Sequence, residues 1–337
     1  MVGNNSGTKS ASELVHARVL SRDPIVIYGF AIYSNMLAHA TAMSPLLRGR
    51  RAHFLISNSW SLEVQDRIRN AAGACIAHRE TYPEHDLTFL CNSPAELEGL
   101  RQCGIKSELI NQSVFMSEEL FRVMPEEAKR FDAVYNARMI AFKRHSLAAE
   151  IDSLLLIYYV LGEADIAYHN GLRPRMPRAT FLNGRPGEDY RRLNARDVAR
   201  NLNACRVGLC LSKIEGAMMA SMEYLLCGLP VVTTPSKGGR DLFLDGAFSL
   251  TVEPDAQAIK RAVRELVEAR IDPQFVRDKT LHKIRAERER FIGLVQAIFD
   301  QEGIRRRFRD DWPKIYVNKL FDWDQKPDDM LRGAGLL

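Results

Sequence analysis

The sequence predicts an α/β fold of two doubly wound, Rossmann-like domains, and three observations support this. From Pro24 onward, short strand-like apolar runs alternate with helix-like segments, a pattern typical of parallel sheets covered by helices. The chain has 337 residues, a length that favours two domains with separate cores. Its hydrophobic fraction of 46% and charged fraction of 26% are those of a globular protein. Because doubly wound sheets bind ligands at the carboxyl ends of their strands, we expect the domains to face each other across a ligand cleft.

The first domain is predicted to span residues 24–125. Residues 1–23 mix polar and charged side chains without a continuous apolar stretch, so we interpret them as a flexible leader rather than a secretion signal. Ser93 and Pro94 predict the start of a helix, with Ser93 as the N-cap and Gly104 closing it. The expected strands are residues 25–28, 52–56, 88–91 and 108–112.

The second domain is predicted to span residues 126–300, after a polar, acidic junction. Residues 301–337 are expected to form a helical tail that packs back on the N-terminal domain. The apolar pattern predicts a long amphipathic helix over residues 146–160. The expected strands are residues 131–135, 165–169, 180–182, 207–211 and 230–233.

The most informative segment is residues 212–234. A strand is predicted to end at Ser212, a loop carries Glu215 and Gly216, and a helix is predicted from near Ala217 to Gly228. The exposed N–H groups and positive dipole of such a helix start favour phosphate oxygens. We therefore expect an anionic ligand at this point.

Two carboxylates accompany the predicted helix start. Glu215 lies in the loop at the mouth of the predicted site, and Glu223 lies about two helical turns further on, so each can hold a different part of one extended ligand. Carboxylates accept hydrogen bonds from vicinal sugar hydroxyls. The alternative is that Glu215 only favours the helix dipole and that Glu223 is a surface residue. The apolar residues that follow Glu223 disfavour that alternative.

These motifs resemble a known family. The Glu-x7-Glu spacing, the sequence Cys-Gly-Leu-Pro-Val-Val-Thr-Thr at residues 227–234 and the pair Gly238-Gly239 are similar to the nucleotide-sugar-binding half of the GT-B-fold group 1 retaining glycosyltransferases. Residues 135–144 resemble the family's strand-turn segment, in which an Arg and a Lys five residues later grip a diphosphate. Here those residues are Arg138 and Lys143. The resemblance covers residues 131–266 well and the N-terminal half more loosely.

The resemblance implies a hexosyltransferase that uses a nucleoside-diphosphate sugar. Arg138 and Lys143 would neutralise the departing diphosphate, so that no metal or other cofactor is obligatory. Glu215 would face the transferred sugar and Glu223 would hold the ribose. Backbone N–H groups would contact the sugar or phosphate, and they belong to the four residues Gly216, Ala217, Met218 and Met219. The family often has Gly-Phe-Gly after the first Glu, whereas this chain has Gly-Ala-Met.

Several alternatives remain open at the level of sequence. An epimerase or phosphorylase of the same fold would use the same donor site. Residues 173–200 hold eight arginines against three acids, which suits a diphosphate but also an acidic polymer or a membrane. A non-catalytic protein that binds such a polymer is therefore a second class, although no nucleic-acid motif is present and no nucleic-acid partner is expected. Asp322-Trp-Asp324 has the D-x-D form of a metal-binding motif but lies in the tail.

Partners and location follow from the same observations. The expected partners are the nucleotide sugar and a saccharide, lipid-linked or small-molecule acceptor. The six cysteines include no C-x-x-C pair, which favours reduced thiols in the cytoplasm. The basic residues 305–309 near Phe308 and Trp312 could give a peripheral contact at the inner membrane face, although an exposed basic helix end fits equally well.

Overall fold

The computed structural model describes residues 14–31, 35–64, 66–316, 320 and 322–337, with the side chains of residues 322 and 323 left out of the description. The chain divides into two compact units. The first combines Met1–Leu109 with Phe291–Leu337, and the second is Ile110–Arg290.

In chain order, the strands of the described residues are β1 (Val15–Arg22), β2 (Ile25–Ala31), β3 (Ala52–Asn58), β4 (His85–Cys91), β5 (Ser107–Leu109), β6 (Phe131–Arg138), β7 (Leu154–Tyr159), β8 (Ala179–Phe181), β9 (Cys205–Cys210), β10 (Ile214–Glu215), β11 (Val231–Thr233), β12 (Lys237–Gly238), β13 (Ser249–Thr251) and β14 (Asp322–Gln325). The helices are α1 (His39–Met43), α2 (Arg67–Thr81), α3 (Pro94–Gln102), α4 (Glu163–Leu172), α5 (Ala195–Asn203), α6 (Met219–Leu226), α7 (Ala256–Ala269), α8 (Pro273–Gln301), α9 (Phe308–Ile315) and α10 (Pro327–Gly333).

The first unit is built on a sheet with the order β14-β1-β2-β3-β4-β5. Strands β2 to β5 are parallel, whereas β1 is antiparallel to both β2 and β14. Every residue of β3 is buried, as expected for a central parallel strand covered on both faces. Helix α3 begins as predicted, because the Ser93 side chain accepts a hydrogen bond from the backbone N–H of Glu96 and Pro94 takes the first turn.

The second unit is built on a wholly parallel sheet with the order β13-β11-β9-β6-β7-β8. Counted within this unit, its strands follow the order 3-2-1-4-5-6, the doubly wound order of Rossmann folds. Strands β6 and β9 are adjacent although two strands separate them in the chain. The order of the strands therefore reverses between β6 and β9, and such a switch point is where doubly wound sheets open a ligand crevice.

Two predicted elements of the second unit are wrong. Residues 146–160 are not a long helix, because a short 3-10 helix at His145–Ala148 leads into strand β7. The first five residues of β7 are buried, and a short, fully buried apolar run cannot be assigned to helix or strand from periodicity alone. The error shifts the next element, so that residues 165–169 lie in helix α4 and not in a strand.

The observed boundaries also differ from the predicted ones. The predicted leader, residues 1–23, contains strand β1, which pairs with β2 and β14. The units meet in sequence at residues 109 and 110, ahead of the predicted junction at 125 and 126. The second crossing, between Arg290 and Phe291, falls inside α8, so the last part of that helix joins the first unit. No helix among the described residues is long and apolar enough to cross a membrane.

Candidate functional site

The candidate site lies in the second unit, at the carboxyl ends of β6 and β9. Arg138 is the last residue of β6, and Lys143 lies in the 3-10 helix Ala141–Lys143 that follows. Glu215 closes β10, just beyond β9, and Glu223 is on α6. The four charged side chains that the sequence singled out therefore lie at the end of β6 or in the segments that follow β6 and β9, the two strands that flank the switch point.

Arg138 is held by a carboxylate that the sequence analysis did not identify. Its Nε and Nη2 atoms donate hydrogen bonds to Oδ2 and Oδ1 of Asp165, at 2.8 and 3.0 Å. The Arg138 side chain keeps 34% of its surface exposed, whereas that of Asp165 keeps 1%. This is a bidentate pair, the geometry that orients a guanidinium most firmly. The outer face of the arginine remains open to a ligand.

Lys143 is paired with the first carboxylate of the Glu-x7-Glu motif. Its Nζ donates to Oε1 of Glu215, and the two side chains are 15% and 8% exposed. The backbone carbonyl of Lys143 accepts a hydrogen bond of 2.6 Å from the hydroxyl of buried Tyr135. That bond fixes the turn after β6 against the sheet, so Lys143 projects from an anchored backbone.

Glu223 is tied to strand β6. Its Oε2 accepts a hydrogen bond of 2.7 Å from Nδ2 of Asn136. The neighbouring Tyr224 is fully buried, and its hydroxyl accepts from the backbone N–H of Asn136 at 2.6 Å. Because Asn136 precedes Arg138 by two residues, these bonds attach the Glu223 end of α6 to the same strand end that carries the cations.

The loop before α6 carries the residues whose backbone N–H groups were predicted to contact the donor. Helix α6 begins at Met219, with Met218 as an N-cap residue whose side chain makes no capping hydrogen bond. Gly216 and Met218 are buried, and Ala217 and Met219 are partly exposed. The Gly216 carbonyl accepts from the N–H of Gly239 at 2.7 Å, so the second glycine of the Gly238-Gly239 pair supports this loop.

Two arginines, Arg240 and Arg144, form hydrogen bonds at the start of this loop and at the end of β11. Arg240 is fully buried, and its guanidinium bonds to the carbonyl oxygen of Ser212, to the carbonyl of Thr234 and to both carboxylate oxygens of Asp241. Arg144 donates to the carbonyl of Leu211 and to Oγ1 of Thr234. The sequence analysis did not identify Arg240 or Arg144, although they directly follow Gly239 and Lys143.

Tyr159 marks the other side of the site. It is the last residue of β7 and is directly opposite Arg138 in the register of β6 and β7. Burial raises the pKa of its hydroxyl above the usual value, and the charges of Arg138 and Glu215 also act on it. The guanidinium of Arg192 lies over its ring, 5.2 Å from the centroid. Arg192 therefore belongs to the surroundings of the site, together with the loop that carries it.

The other arginines of residues 173–200 lie in the 3-10 helix Arg173–Arg175, in α5 and in the loops between these helices, and three of them form ion pairs. Arg178 lies 2.5 Å from Asp152, Arg185 lies 3.4 Å from Glu188 and Arg200 lies 3.2 Å from Glu127. These pairs are mostly exposed, and exposed pairs contribute little to stability. They offset part of the positive charge that the composition of the segment suggested.

The C-terminal basic cluster belongs to the first unit. Arg306 lies 3.2 Å from Asp311 and Arg307 lies 3.5 Å from Asp310. Phe308 is fully buried and packs edge-on against Phe299, with ring centroids 5.7 Å apart. Trp312 stacks on Tyr316 with ring centroids 5.1 Å apart. Phe308 and Trp312, the two aromatic residues near the cluster, thus pack against other aromatic rings.

Histidines and cysteines contribute little to the site as described. His145, next to Lys143, is buried, and its burial lowers its pKa to about 3, with the Lys143 charge acting in the same direction. The cysteines are free thiols, all buried except Cys103. Among the described residues, no group of three or more His, Cys, Asp or Glu side chains could hold a metal ion. Asp324 of the D-x-D motif lies in β14, which pairs with β1.

The fold and part of the sequence are similar to known glycosyltransferases. Residues 173–269 match the family model described as "Glycosyl transferases group 1". No curated protein matches the chain in sequence.

Three solved structures illustrate the similarity of the fold. Sucrose-phosphate synthase of Thermosynechococcus elongatus is 16% identical, with a TM-score of 0.58 over 81% of this chain and 74% of that one. HepE of Anabaena in complex with UDP is 15% identical, with a TM-score of 0.59 over 80% and 78%. A trehalose-6-phosphate synthase is 12% identical, with a TM-score of 0.56 over 81% and 73%.

These likenesses agree with the resemblance found in the motifs. The matched family segment contains Glu215, Glu223 and the loop between them. The structural neighbours are glycosyltransferases of the GT-B fold, and both units of this chain are Rossmann-like. The chain accordingly has the GT-B fold, and its residues 173–269 are similar to the group 1 glycosyltransferases.

Proposed function

We propose that the protein transfers a hexosyl group from a nucleoside-diphosphate sugar to a saccharide, lipid-linked or small-molecule acceptor, with retention at the anomeric carbon. One observation carries this proposal. Arg138 and Lys143 lie at and just after the end of β6, at the switch point of a Rossmann-like sheet, and Lys143 contacts Glu215 in the segment that leads into α6. Two cations and a helix N-terminus at that position match the needs of a diphosphate.

Arg138 and Lys143 would stabilise the leaving nucleoside diphosphate. Negative charge grows on the diphosphate as the bond to the sugar breaks, and fixed cations in a partly buried site stabilise that charge without reorganising. Arg138 uses two of its five N–H groups on Asp165, so three others can face the phosphates. Because these cations neutralise the charge, the proposed transfer does not depend on a metal ion. Activity that survives an excess of EDTA is the expected result.

The carboxylates would position the two ends of the donor. Glu223 is partly exposed and fixed by Asn136, and it would accept hydrogen bonds from the ribose hydroxyls. Glu215 would face the transferred sugar. In the structure Glu215 is the counter-ion of Lys143. Backbone N–H groups of Gly216, Ala217, Met218 and Met219 would contact the sugar or the phosphates.

The neighbouring structures support a sugar nucleotide as donor. HepE was solved in complex with UDP, and also with UDP and glucose. The structure of the trehalose-6-phosphate synthase addresses glycosyl transfer with retention. In a retaining reaction of this kind, the acceptor hydroxyl would attack from the face that the diphosphate leaves. It would lose its proton to an oxygen of the leaving group, so no protein base is required at that step.

The donor can be found by a thermal-shift screen of nucleotide sugars that differ in base and sugar. A ligand at about 100 times its dissociation constant adds roughly 2.7 kcal/mol to the free energy of unfolding. The hit is then incubated with candidate acceptors, and NMR of the product gives the anomeric configuration. Sugar transfer with retention is expected. If no nucleotide sugar raises the melting temperature and none is turned over, the proposal is wrong.

The same assays separate the alternatives. A phosphorylase would release a sugar phosphate when inorganic phosphate is added, and an epimerase would change the sugar without an acceptor. A binding protein for acidic polymers would bind oligonucleotides with a steep dependence on salt and ignore sugar nucleotides.

We further propose a cytoplasmic location, since buried free thiols suit a reducing compartment. A peripheral membrane contact through residues 305–309 is a separate hypothesis. It predicts co-sedimentation with vesicles that contain anionic lipid, and a loss of that binding in Arg305→Ala/Arg307→Ala.

A further inference from the structure

Asp165 has the geometry of a residue that positions another side chain. It lies in the first turn of α4, and both of its carboxylate oxygens accept hydrogen bonds from Arg138, at 2.8 and 3.0 Å. Its Oδ2 also accepts from the backbone N–H of Leu161, at 2.8 Å. The carboxylate is therefore held by a backbone group on one side and holds Arg138 on the other.

The carboxylate is buried, and it stays charged. Its side chain is 1% exposed, so it is placed behind the arginine, which is 34% exposed. Burial alone would raise the pKa of Asp165, but the hydrogen bonds from Arg138 and Leu161 and the charge of Arg138 bring it below its ordinary value. A buried, ionised carboxylate that accepts two hydrogen bonds fixes the orientation of the partner guanidinium and balances its charge.

A free arginine side chain would not stay in this place. It has four rotatable bonds, and holding it in one conformation costs up to about 2 kcal/mol of side-chain entropy. The bidentate contact to Asp165 fixes the plane of the guanidinium before any ligand arrives. Preorganisation of this kind lowers the cost of binding and keeps donors aligned with the charge that develops during the reaction.

We propose that Asp165 is a positioning residue of the transferase, which holds Arg138 so that its outer N–H groups face the diphosphate of the donor. This inference rests on the proposed function, since it assigns to Asp165 a part in the same reaction. Asp165 does not touch the donor. It acts only through Arg138, and this distinguishes its role from those of Lys143 and Glu223.

The alternative is a purely structural role in the first turn of α4. Two observations fit such a role: acidic residues in a first turn favour the helix dipole, and Asp165 accepts a hydrogen bond from the backbone N–H of Leu161. A structural role would act on stability and on the amount of active protein, and its effect would not depend on Arg138. A positioning role would disappear when Arg138 is absent.

The test is a double-mutant cycle with a matched control. Asp165→Asn keeps the shape of the side chain and removes its charge. Glu163→Gln is the control, because Glu163 is an exposed acid in the same helical turn. With the donor found by the screen, kcat/KM and donor KM are measured for wild type, Asp165→Asn, Arg138→Ala, the double variant and the control. Circular dichroism checks that each variant is folded. The size of the expected effect follows from the general observation that a small misplacement of a catalytic group can lower the rate by about 100-fold.

We expect Asp165→Asn to lower kcat/KM by about 30- to 100-fold. The control Glu163→Gln should keep kcat/KM within about twofold of wild type. When Arg138 is already Ala, Asp165→Asn should lower kcat/KM by less than about a further threefold. Equal losses in both backgrounds, or a wild-type kcat/KM for Asp165→Asn, would overturn the inference. If Asp165→Asn does not fold, Asp165→Glu takes its place in the cycle. A loss of kcat/KM in Asp165→Glu that occurs only when Arg138 is present supports the positioning role. A wild-type protein that neither binds nor turns over any nucleotide sugar refutes the proposed function itself.

Discussion

Replacing Lys143 with Met separates the role of this lysine in the reaction from its role in the fold. Lys143 and Glu215 form an ion pair whose side chains are 15% and 8% exposed. Methionine keeps most of the length and apolar surface of lysine and removes the charge. The variant therefore loses the cation at the diphosphate and also leaves the Glu215 carboxylate without its partner.

The two consequences have different sizes. A unit charge about 4 Å from a phosphate contributes about 4 kcal/mol at an effective dielectric constant of 20. Removal of one fixed group that stabilises developing charge costs about 2.7–4 kcal/mol of activation free energy, or a factor of 100–1,000 in kcat. Removal of one partner from a buried ion pair destabilises a protein by about 3–5 kcal/mol, and the partial exposure of Lys143 places our expectation near 2 kcal/mol.

The assay measures kcat/KM for the donor together with the midpoint of urea unfolding. Lys143→Met should lose both activity and stability. The double variant Lys143→Met/Glu215→Gln removes the unpaired charge, so it should recover most of the stability while remaining inactive. Lys213→Met is the control, since Lys213 is an exposed lysine two residues before Glu215. Wild-type kcat/KM in folded Lys143→Met would refute the role of this lysine.

Three further predictions concern neighbouring residues. Glu223→Gln should raise the donor KM by about 10- to 100-fold, because hydrogen bonds to charged groups are worth about 1.5–3 kcal/mol; an unchanged KM would refute the ribose contact, and Asn136→Ala should give a smaller rise. Gly208→Ala should lower the free energy of unfolding by about 1–3 kcal/mol, because a Cβ there would lie 2.4 Å from the Tyr224 ring, and an unchanged urea midpoint would contradict this. Burial lowers the pKa of His145 to about 3, whereas an unfolded histidine titrates near 6.5. The unfolded chain therefore binds the extra proton below about pH 6.5, and stability should fall by up to about 1.4 kcal/mol per unit as the pH drops toward 3; His145→Asn should flatten that slope, and an identical slope would contradict the reasoning.

The sequence predicted the residues that belong to compact motifs. Arg138 and Lys143 lie five residues apart, and Glu215 and Glu223 lie on one loop and helix, so the resemblance to the group 1 glycosyltransferases could be recognised from two short segments. The switch point explains why the two motifs meet, since β6 and β9 are neighbours in the sheet. The four residues are brought to one edge of the second unit, as the prediction required, while their roles toward a donor stay predictions.

Asp165 was missed because its contact spans 27 residues and because its segment was assigned to a strand. The buried run of β7 has no periodicity that separates strand from helix, and the error propagated into α4. Arg240 was missed for a different reason. An arginine that follows two glycines gives no sequence sign that it will be fully buried among carbonyl groups. Such contacts depend on packing between segments that are distant in the chain.

The most direct test of the central claim is calorimetric titration of the protein with the nucleoside diphosphate of the donor found in the screen. Wild type should bind with a stoichiometry of one per chain. Arg138→Ala and Lys143→Met should each weaken binding by at least about tenfold, or about 1.4 kcal/mol, while Lys213→Met should bind as wild type does. Equal affinity in all four proteins would show that the diphosphate does not bind at the end of β6, and the account of the site would be wrong.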